Sequence, residues 1–318
     1  LFLYILIFLS AFLTTVFTAP LALKLAFRYG ALDEPGVRKV HQKAIPRLGG
    51  AAIFAGMLFS LCVALVLRQI GFFHFNVWML AGIVFASAII FVLGLIDDLR
   101  RLSPVTKLVW QAVAASIVIV LGVSVEFISN PFNGLVYLSV VSFPLTLFWI
   151  VGLTNSINLI DGLDGLAAGV VGISSLALFL VALMKGQPEI AGLLLLSLAG
   201  VSFGFLVFNF HPASIFLGDS GSLLLGFLLA VSSVVGSLKS TLFVVFLLPV
   251  VILAVPIFDT IFAVIRRAYF KQHIFQADDM HIHHRLLNAG LSHRAAVLTI
   301  YVCCILLSLL ALVLAKLT

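Results

Sequence analysis

Long apolar runs separated by short polar connections alternate along the whole chain. Ten of them come near the roughly 20 residues a helix needs to cross a hydrocarbon core. They are expected at about 1–22, 49–68, 77–96, 107–124, 138–156, 164–184, 190–208, 220–238, 241–264 and 294–316. The first run opens without a basic leader or a small-residue cleavage site, and is expected to be a true span. Pro144, Pro249 and Pro256 fall inside expected spans. They are expected to bend them, since proline removes an intrahelical hydrogen bond. The pattern predicts an all-α, polytopic membrane protein with about ten transmembrane helices, forming one domain over residues 1–318.

Composition narrows the class further. The chain is 63% hydrophobic and 9% charged, against about one quarter charged in a soluble protein. No polar connection exceeds roughly 30 residues, too few for a separate soluble domain. Cys62, Cys303 and Cys304 sit in apolar runs and form neither a zinc spacing nor a disulfide framework.

Charge orients the spans. Of the 18 lysines and arginines, all but Arg68, Lys185, Lys239 and Lys316 fall on one set of connections and helix ends. The positive-inside rule puts that side in the cytoplasm and both termini outside it. This membrane pattern accounts for the basic excess, so nucleic acid is not an expected partner. Most acids and histidines gather on the same side. The rule does not govern them, so their asymmetry calls for a functional cause.

The most polar stretch is Asn155–Leu166, NSINLIDGLDGL. Asn155, Asn158, Asp161 and Asp164 recur every three residues, a spiralling polar strip on a helix until Gly162 and Gly165 interrupt it. Carboxylates beside an apolar span are costly unless a cation, a proton or water meets them. Asp97 and Asp98 close one span, and Lys107 opens the next. Adjacent carboxylates repel, and a hard oxygen site of this kind suits Mg²⁺ with substrate phosphates. Val37–Gly50, VRKVHQKAIPRLGG, carries Lys43 and Arg47 into a glycine pair that permits close backbone approach. Asn209–Ser222, NFHPASIFLGDSGS, holds Asp219 and Phe216. Asp259 precedes Arg266 and Arg267 on roughly one helix face, where the three can pair structurally or serve a ligand. Asp278–Arg285, DDMHIHHR, groups His281, His283 and His284 with Arg285, a composition suited to phosphate oxygens and also conceivable for zinc.

No GxSxG elbow, P-loop or GxGxxG occurs. What remains is metal-assisted phosphoryl chemistry at the bilayer surface. A cation-coupled transporter is the alternative, but its polar groups belong near the membrane midplane, whereas these lie at cytoplasmic ends. A non-catalytic scaffold has no use for so many acids inside a basic shell.

Six motifs in order carry a resemblance: VRKVHQKAIPRLGG, GLIDDLRRLSPVTK, NSINLIDGLDGLAAG, NFHPASIFLGDSGS, PIFDTIFAVIRR and DDMHIHHRLLNAG. The chain resembles the polyprenyl-phosphate N-acetylhexosamine-1-phosphate transferases of bacterial membranes, which start peptidoglycan, teichoic acid and O-antigen lipid intermediates. Val40–Gly50 and HIHHR are most similar to the branch using UDP-N-acetylglucosamine, although Ala44 replaces a proline common there. The resemblance implies transfer of N-acetylglucosamine 1-phosphate from UDP-GlcNAc to undecaprenyl phosphate, giving a lipid-linked pyrophosphoryl sugar and UMP. Another UDP-N-acetylhexosamine, or UDP-MurNAc-pentapeptide, is the alternative donor. It further implies Mg²⁺, or Mn²⁺ in its stead, and a cytoplasmic site in the bacterial plasma membrane; a homodimer is compatible with the sequence. By motif, Asp97 is expected to position or deprotonate the lipid phosphate. Asp98, Asp164 and Asp219 are expected around the metal, and Asp98 and Asp219 also in catalysis. Asn155, Asn158, Asp161 and Phe216 are expected toward the nucleotide. Lys43, Arg47, Lys107, Arg266, His281, His283, His284 and Arg285 are expected toward phosphates and sugar.

Overall fold

The computed structural model describes residues 2–34, 44–125, 127–130, 134–186, 189–236, 248–269 and 281–317. Its apolar runs are helical: α1 (Phe2–Tyr29), α2 (Gly49–Gln69), α3 (Val77–Arg100), α4 (Pro104–Val120), α5 (Ser142–Ile160) and α6 (Leu166–Met184). They continue as α7 (Glu189–Asn209), α8 (Gly218–Val235), α9 (Ala254–Tyr269), α10 (Ile282–Asn288) and α11 (His293–Leu317). Two short antiparallel pairs complete the fold, β1 (Leu32–Asp33) with β2 (Ile45–Pro46), and β3 (Phe127–Asn130) with β4 (Gly134–Tyr137).

Among the described residues, 8 helices are long and apolar enough to cross a membrane, so the protein is membrane-embedded and multi-pass. The expected ten is not reached. The fourth expected span is the 17-residue α4, and the ninth begins among residues 241–247, outside the described residues. Pro144 sits in the first turn of α5, where a missing N–H costs no intrahelical bond. Pro256 sits in the first turn of α9, just past a break in the helix at Leu253. The expected interruption therefore falls between helical segments, not within one.

Local chemistry sets several boundaries. The Asn76 side chain accepts from the amides of Trp78 and Met79, and Ser103 accepts from Thr106 ahead of Pro104. Each satisfies donors that a helix start leaves orphaned. Gly165, with φ 79°, lets the chain turn sharply from the end of α5 into α6.

α8 is the hub. Of its residues 89% are buried, against 22% and 28% along an 18-residue stretch of α1 and of α11. The outer helices therefore present their apolar faces to lipid. Glycines let the neighbours reach α8 backbone to backbone. A Cβ on Gly94 of α3 would stand 2.4 Å from Ser220 Cα, and one on Gly50 of α2 would stand 2.4 Å from the Ser220 carbonyl carbon. Small residues at such crossings are what membrane helices use to pack closely. The approach brings the starts of α2 and α8 and the end of α3 together at one end of the bundle.

Replacing Gly94 with valine should force α3 away from α8. Overpacking of this kind costs about 1–3 kcal/mol or more. We expect a clearly lower melting temperature in detergent, read by size-exclusion after a heating series. A wild-type melting curve would refute the close contact.

Candidate active site

The chain folds around a buried carboxylate at this end of the bundle. The Asp98 side chain is 0% exposed and closes α3. Its Oδ1 accepts from the Asp219 amide at 2.8 Å and from Arg47 at 3.0 and 3.2 Å. Its Oδ2 accepts from the Ser220 amide at 3.1 Å and the Ser220 hydroxyl at 2.7 Å. Asp98 thus caps α8 from a different helix, where a negative charge meets the positive end of the helix dipole. Arg47 is held by Asp33 as well, at 3.6 Å. Burial works against its cation, but Asp98, Asp219 and Asp33 outweigh that and raise its pKa.

Asp97, one residue earlier, points elsewhere. It accepts from the Leu102 amide at 2.5 Å and from Lys107 Nζ at 3.1 Å. The same ammonium reaches Asp219 Oδ2 at 2.7 Å. Lys107 therefore bridges two carboxylates delivered by α3 and α8. Asn158 of α5 donates to Asp219 Oδ1 at 3.3 Å and to Ser222 at 2.8 Å.

The turn after α5 supplies two more carboxylates. Asp161 is half-buried, and among the described residues no side-chain hydrogen bond or ion pair reaches its carboxylate. Burial, with Asp219, Asp98 and Asp164 nearby, pushes its pKa well above the ordinary carboxylate range, against the pull of Arg47. Asp164 is engaged: its Oδ2 lies 2.7 Å from His211 Nδ1 and accepts from the Ala213 amide at 3.1 Å. The Asp164 amide donates to His293 Nε2 at 2.9 Å. The Gly165 amide donates to Asn209 Oδ1 at 3.0 Å, and its carbonyl accepts from the Tyr301 hydroxyl.

These elements enclose a cleft of about 340 Å³. Of the expected residues, Arg47, Asn158, Asp161, Asp164, Phe216, Asp219 and His284 line it. Asp97, Asp98 and Lys107 are linked to it through Asp219 and Arg47 without lining it. Asn155 is bonded to Gln111 on α4, at 2.6 Å, and joins two helices. Lys43 lies outside the described residues. Arg266, His281, His283 and Arg285 are not in the cleft wall. His281 Nδ1 pairs with Asp259 Oδ2 at 2.9 Å, and Asp259 also accepts from the Ile282 amide at 2.8 Å, fixing the start of α10. His283 packs on Gly162, where a Cβ would stand 2.2 Å from its Nε2. Burial, then the neighbouring His284 and His281, hold the His283 pKa at about 4.

Sequence reasoning missed Asp33, Asn209, His211 and His293, all of which line the cleft. Asn209 and His211 were visible inside NFHPASIFLGDSGS as polar residues at a span end. His293 had no signal beyond opening the last apolar run.

The family model for Glycosyl transferase family 4 matches residues 79–237. A probable undecaprenyl-phosphate N-acetylglucosaminyl 1-phosphate transferase of Bacillus subtilis is 42% identical over 314 residues, 98% of this chain and 85% of that protein. A decaprenyl-phosphate N-acetylglucosaminephosphotransferase of Mycolicibacterium smegmatis is 37% identical, over 92% of this chain and 77% of its own. An undecaprenyl-phosphate alpha-N-acetylglucosaminyl 1-phosphate transferase of Thermotoga maritima is 34% identical, over 87% and 78%.

The depressed His283 pKa has a consequence for stability. Between 6.5 and about 4 the unfolded chain takes up a proton at this ring and the folded chain does not. Stability from His283 is complete above that window and is lost as the pH falls through it. The melting temperature of wild-type protein should drop more steeply on acidification than that of His283→Gln. Equal slopes would contradict the burial of a neutral ring.

Proposed function

The chain belongs to glycosyl transferase family 4, and from that premise we propose that it transfers N-acetylglucosamine 1-phosphate from UDP-GlcNAc to undecaprenyl phosphate. The products are undecaprenyl-pyrophosphoryl-GlcNAc and UMP. One observation carries the reading: carboxylates from three helix ends converge beside Lys107 and Arg47 at a cleft, with the Asp161 carboxylate left without a side-chain partner among the described residues. The names of the similar proteins support undecaprenyl phosphate as the acceptor and N-acetylglucosaminyl 1-phosphate as the group transferred. The positive-inside distribution supports a cytoplasmic site with both termini on the opposite side.

The donor set suits Mg²⁺, with Mn²⁺ as a close substitute. Asp219 and Asp161 open onto the cleft as hard oxygen donors, and the pKa of Asp161 is raised first by burial and then by the neighbouring carboxylates, more than Arg47 offsets. These two would hold the ion. Bound there, it would neutralise diphosphate charge. Asp98 fits a supporting task better than the metal shell expected from the sequence, because it is fully buried behind the cleft wall. Asp164 is held by His211 and Ala213. Asp219, held by Lys107 and Asn158, would share its carboxylate between that ammonium and the ion. Asp98 holds α8 and Arg47 in place; Asp164 holds the 211–213 segment.

The chain's own groups then divide the work. An oxygen of the polyprenyl phosphate attacks the β-phosphorus of UDP-GlcNAc, a P–O bond forms, and the bond to UMP breaks. Arg47 in the cleft wall, and Lys107 behind Asp219, would add positive charge beside the anionic groups where charge develops in transfer. Asp97, paired to Lys107, positions the acceptor phosphate. A phosphate second pKa is near 6, so the acceptor is largely dianionic at neutral pH and demands little of a general base. Phe216 lines the cleft as an aromatic group suited to the uracil, and His284 as a polar one suited to the diphosphate-sugar.

Purified full-length protein with Mg²⁺, undecaprenyl phosphate and a panel of UDP-sugars should release UMP, fastest with UDP-GlcNAc. Asp219→Asn and Asp161→Asn should each lower the rate by about 100-fold or more, the scale of losing a charge-stabilising group. Chelation should abolish turnover. Wild-type rates in both variants would refute the site.

A further inference from the structure

Asn155 belongs to the most polar stretch of the sequence, yet it stands outside the cleft wall. Its side-chain nitrogen donates to Gln111 Oε1 at 2.6 Å and to the Val151 carbonyl at 2.8 Å. Gln111 Nε2 returns a longer bond to Asn155 Oδ1 at 3.5 Å. Gln111 sits midway along α4 and is 1% exposed. An amide shut away from water is costly unless another polar group answers it. These two answer each other, so the pair fixes the register of α4 against α5.

The place of the pair gives that register a use. Lys107 lies four residues before Gln111 on α4, and Asn158 three residues after Asn155 on α5. Such spacings put each couple on one helix face, about one turn apart. Lys107 and Asn158 both reach Asp219, the ammonium on Oδ2 at 2.7 Å and the amide on Oδ1 at 3.3 Å. The same ammonium holds Asp97 at 3.1 Å. The two helices that bond Asp219 through different oxygens are thus tied to each other about one turn farther from the cleft. A sliding or turning of α4 would carry Lys107 away from both carboxylates.

We propose that Gln111 and Asn155 are positioning residues, a buried amide tie that sets Lys107 between Asp97 and Asp219. Neither lines the cleft, and both act through the ammonium. The effect on turnover rests on the transferase reading; the placement of Lys107 does not.

The test follows Lys107 itself, in the full chain in detergent. Its side chain is 22% exposed, enough for an amine-acylating reagent to reach it, and mass spectrometry reads the rate of modification. Gln111→Leu and Asn155→Leu should each speed that modification severalfold, because the ion pairs that shield the amine are lost. UMP release from UDP-GlcNAc should fall about tenfold or more, since a misplacement of about 1 Å far from the chemistry can cost about 100-fold. Gln111→Asn alone keeps an amide and shortens its reach, and serves where leucine does not fold. The exchanged pair, Gln111→Asn with Asn155→Gln, has the same summed length and should restore both readouts. A tie that only stabilised the bundle would lower the melting temperature and leave Lys107 reactivity unchanged. Lys107 modified at the wild-type rate in every single variant, or an exchanged pair as reactive as the leucine variants, would overturn the proposal. Wild-type protein that released no UMP would count against the transferase reading alone, with the Lys107 rates still deciding the tie.

Discussion

A carboxylate shut away from solvent must be answered by donors from the protein, and Asp98 is answered by residues from two distant parts of the chain. Arg47, Asp219 and Ser220 converge on its two oxygens at hydrogen-bonding distance. Removing one partner of a buried charged pair is strongly destabilising, because the other is left uncompensated. The register of α2, α3 and α8 at this end of the bundle is therefore coupled to one side chain. Gly218, with φ 67°, admits the carboxylate; a Cβ there would stand 2.5 Å from Asp98 Oδ2. Gly50 and Gly94 admit the neighbouring helices to the same turn.

That clamp brings the polar groups of the cleft and its wall together. With the start of α8 fixed, Asp219 meets Lys107 and Asn158, and Asp97 shares the same ammonium. The Asp161–Gly165 turn is anchored independently by Asn209, His293 and Tyr301. Two rigid supports thus face each other across the cleft, one carrying Asp219 and the other Asp161. Carboxylates outnumber lysine and arginine side chains around the cleft, a surplus that the proposed Mg²⁺ would offset.

The helices and the polar end of the bundle were legible because apolar runs and clustered polar motifs are local properties of the sequence. Which lone pairs are already occupied was not, since that depends on tertiary contact. Asp98 and Asp164 read as metal ligands, yet their oxygens face Arg47, Ser220, His211 and Ala213. Asn155 shared the spacing of Asn158 and Asp161, but it faces Gln111 of α4. A helix turns about 100° per residue, so steps of three wind the strip off the cleft face. Pro144 and Pro256 signalled bends, but their position relative to a helix start decides whether a bond is lost.

The central claim is that the β-phosphorus of the sugar nucleotide leaves with the sugar. UDP-GlcNAc labelled at that phosphorus tests it directly, with the full chain, undecaprenyl phosphate and Mg²⁺. The proposed reaction carries the label into the lipid extract and leaves UMP unlabelled. Label recovered as water-soluble UDP, with sugar alone on the lipid, would contradict it.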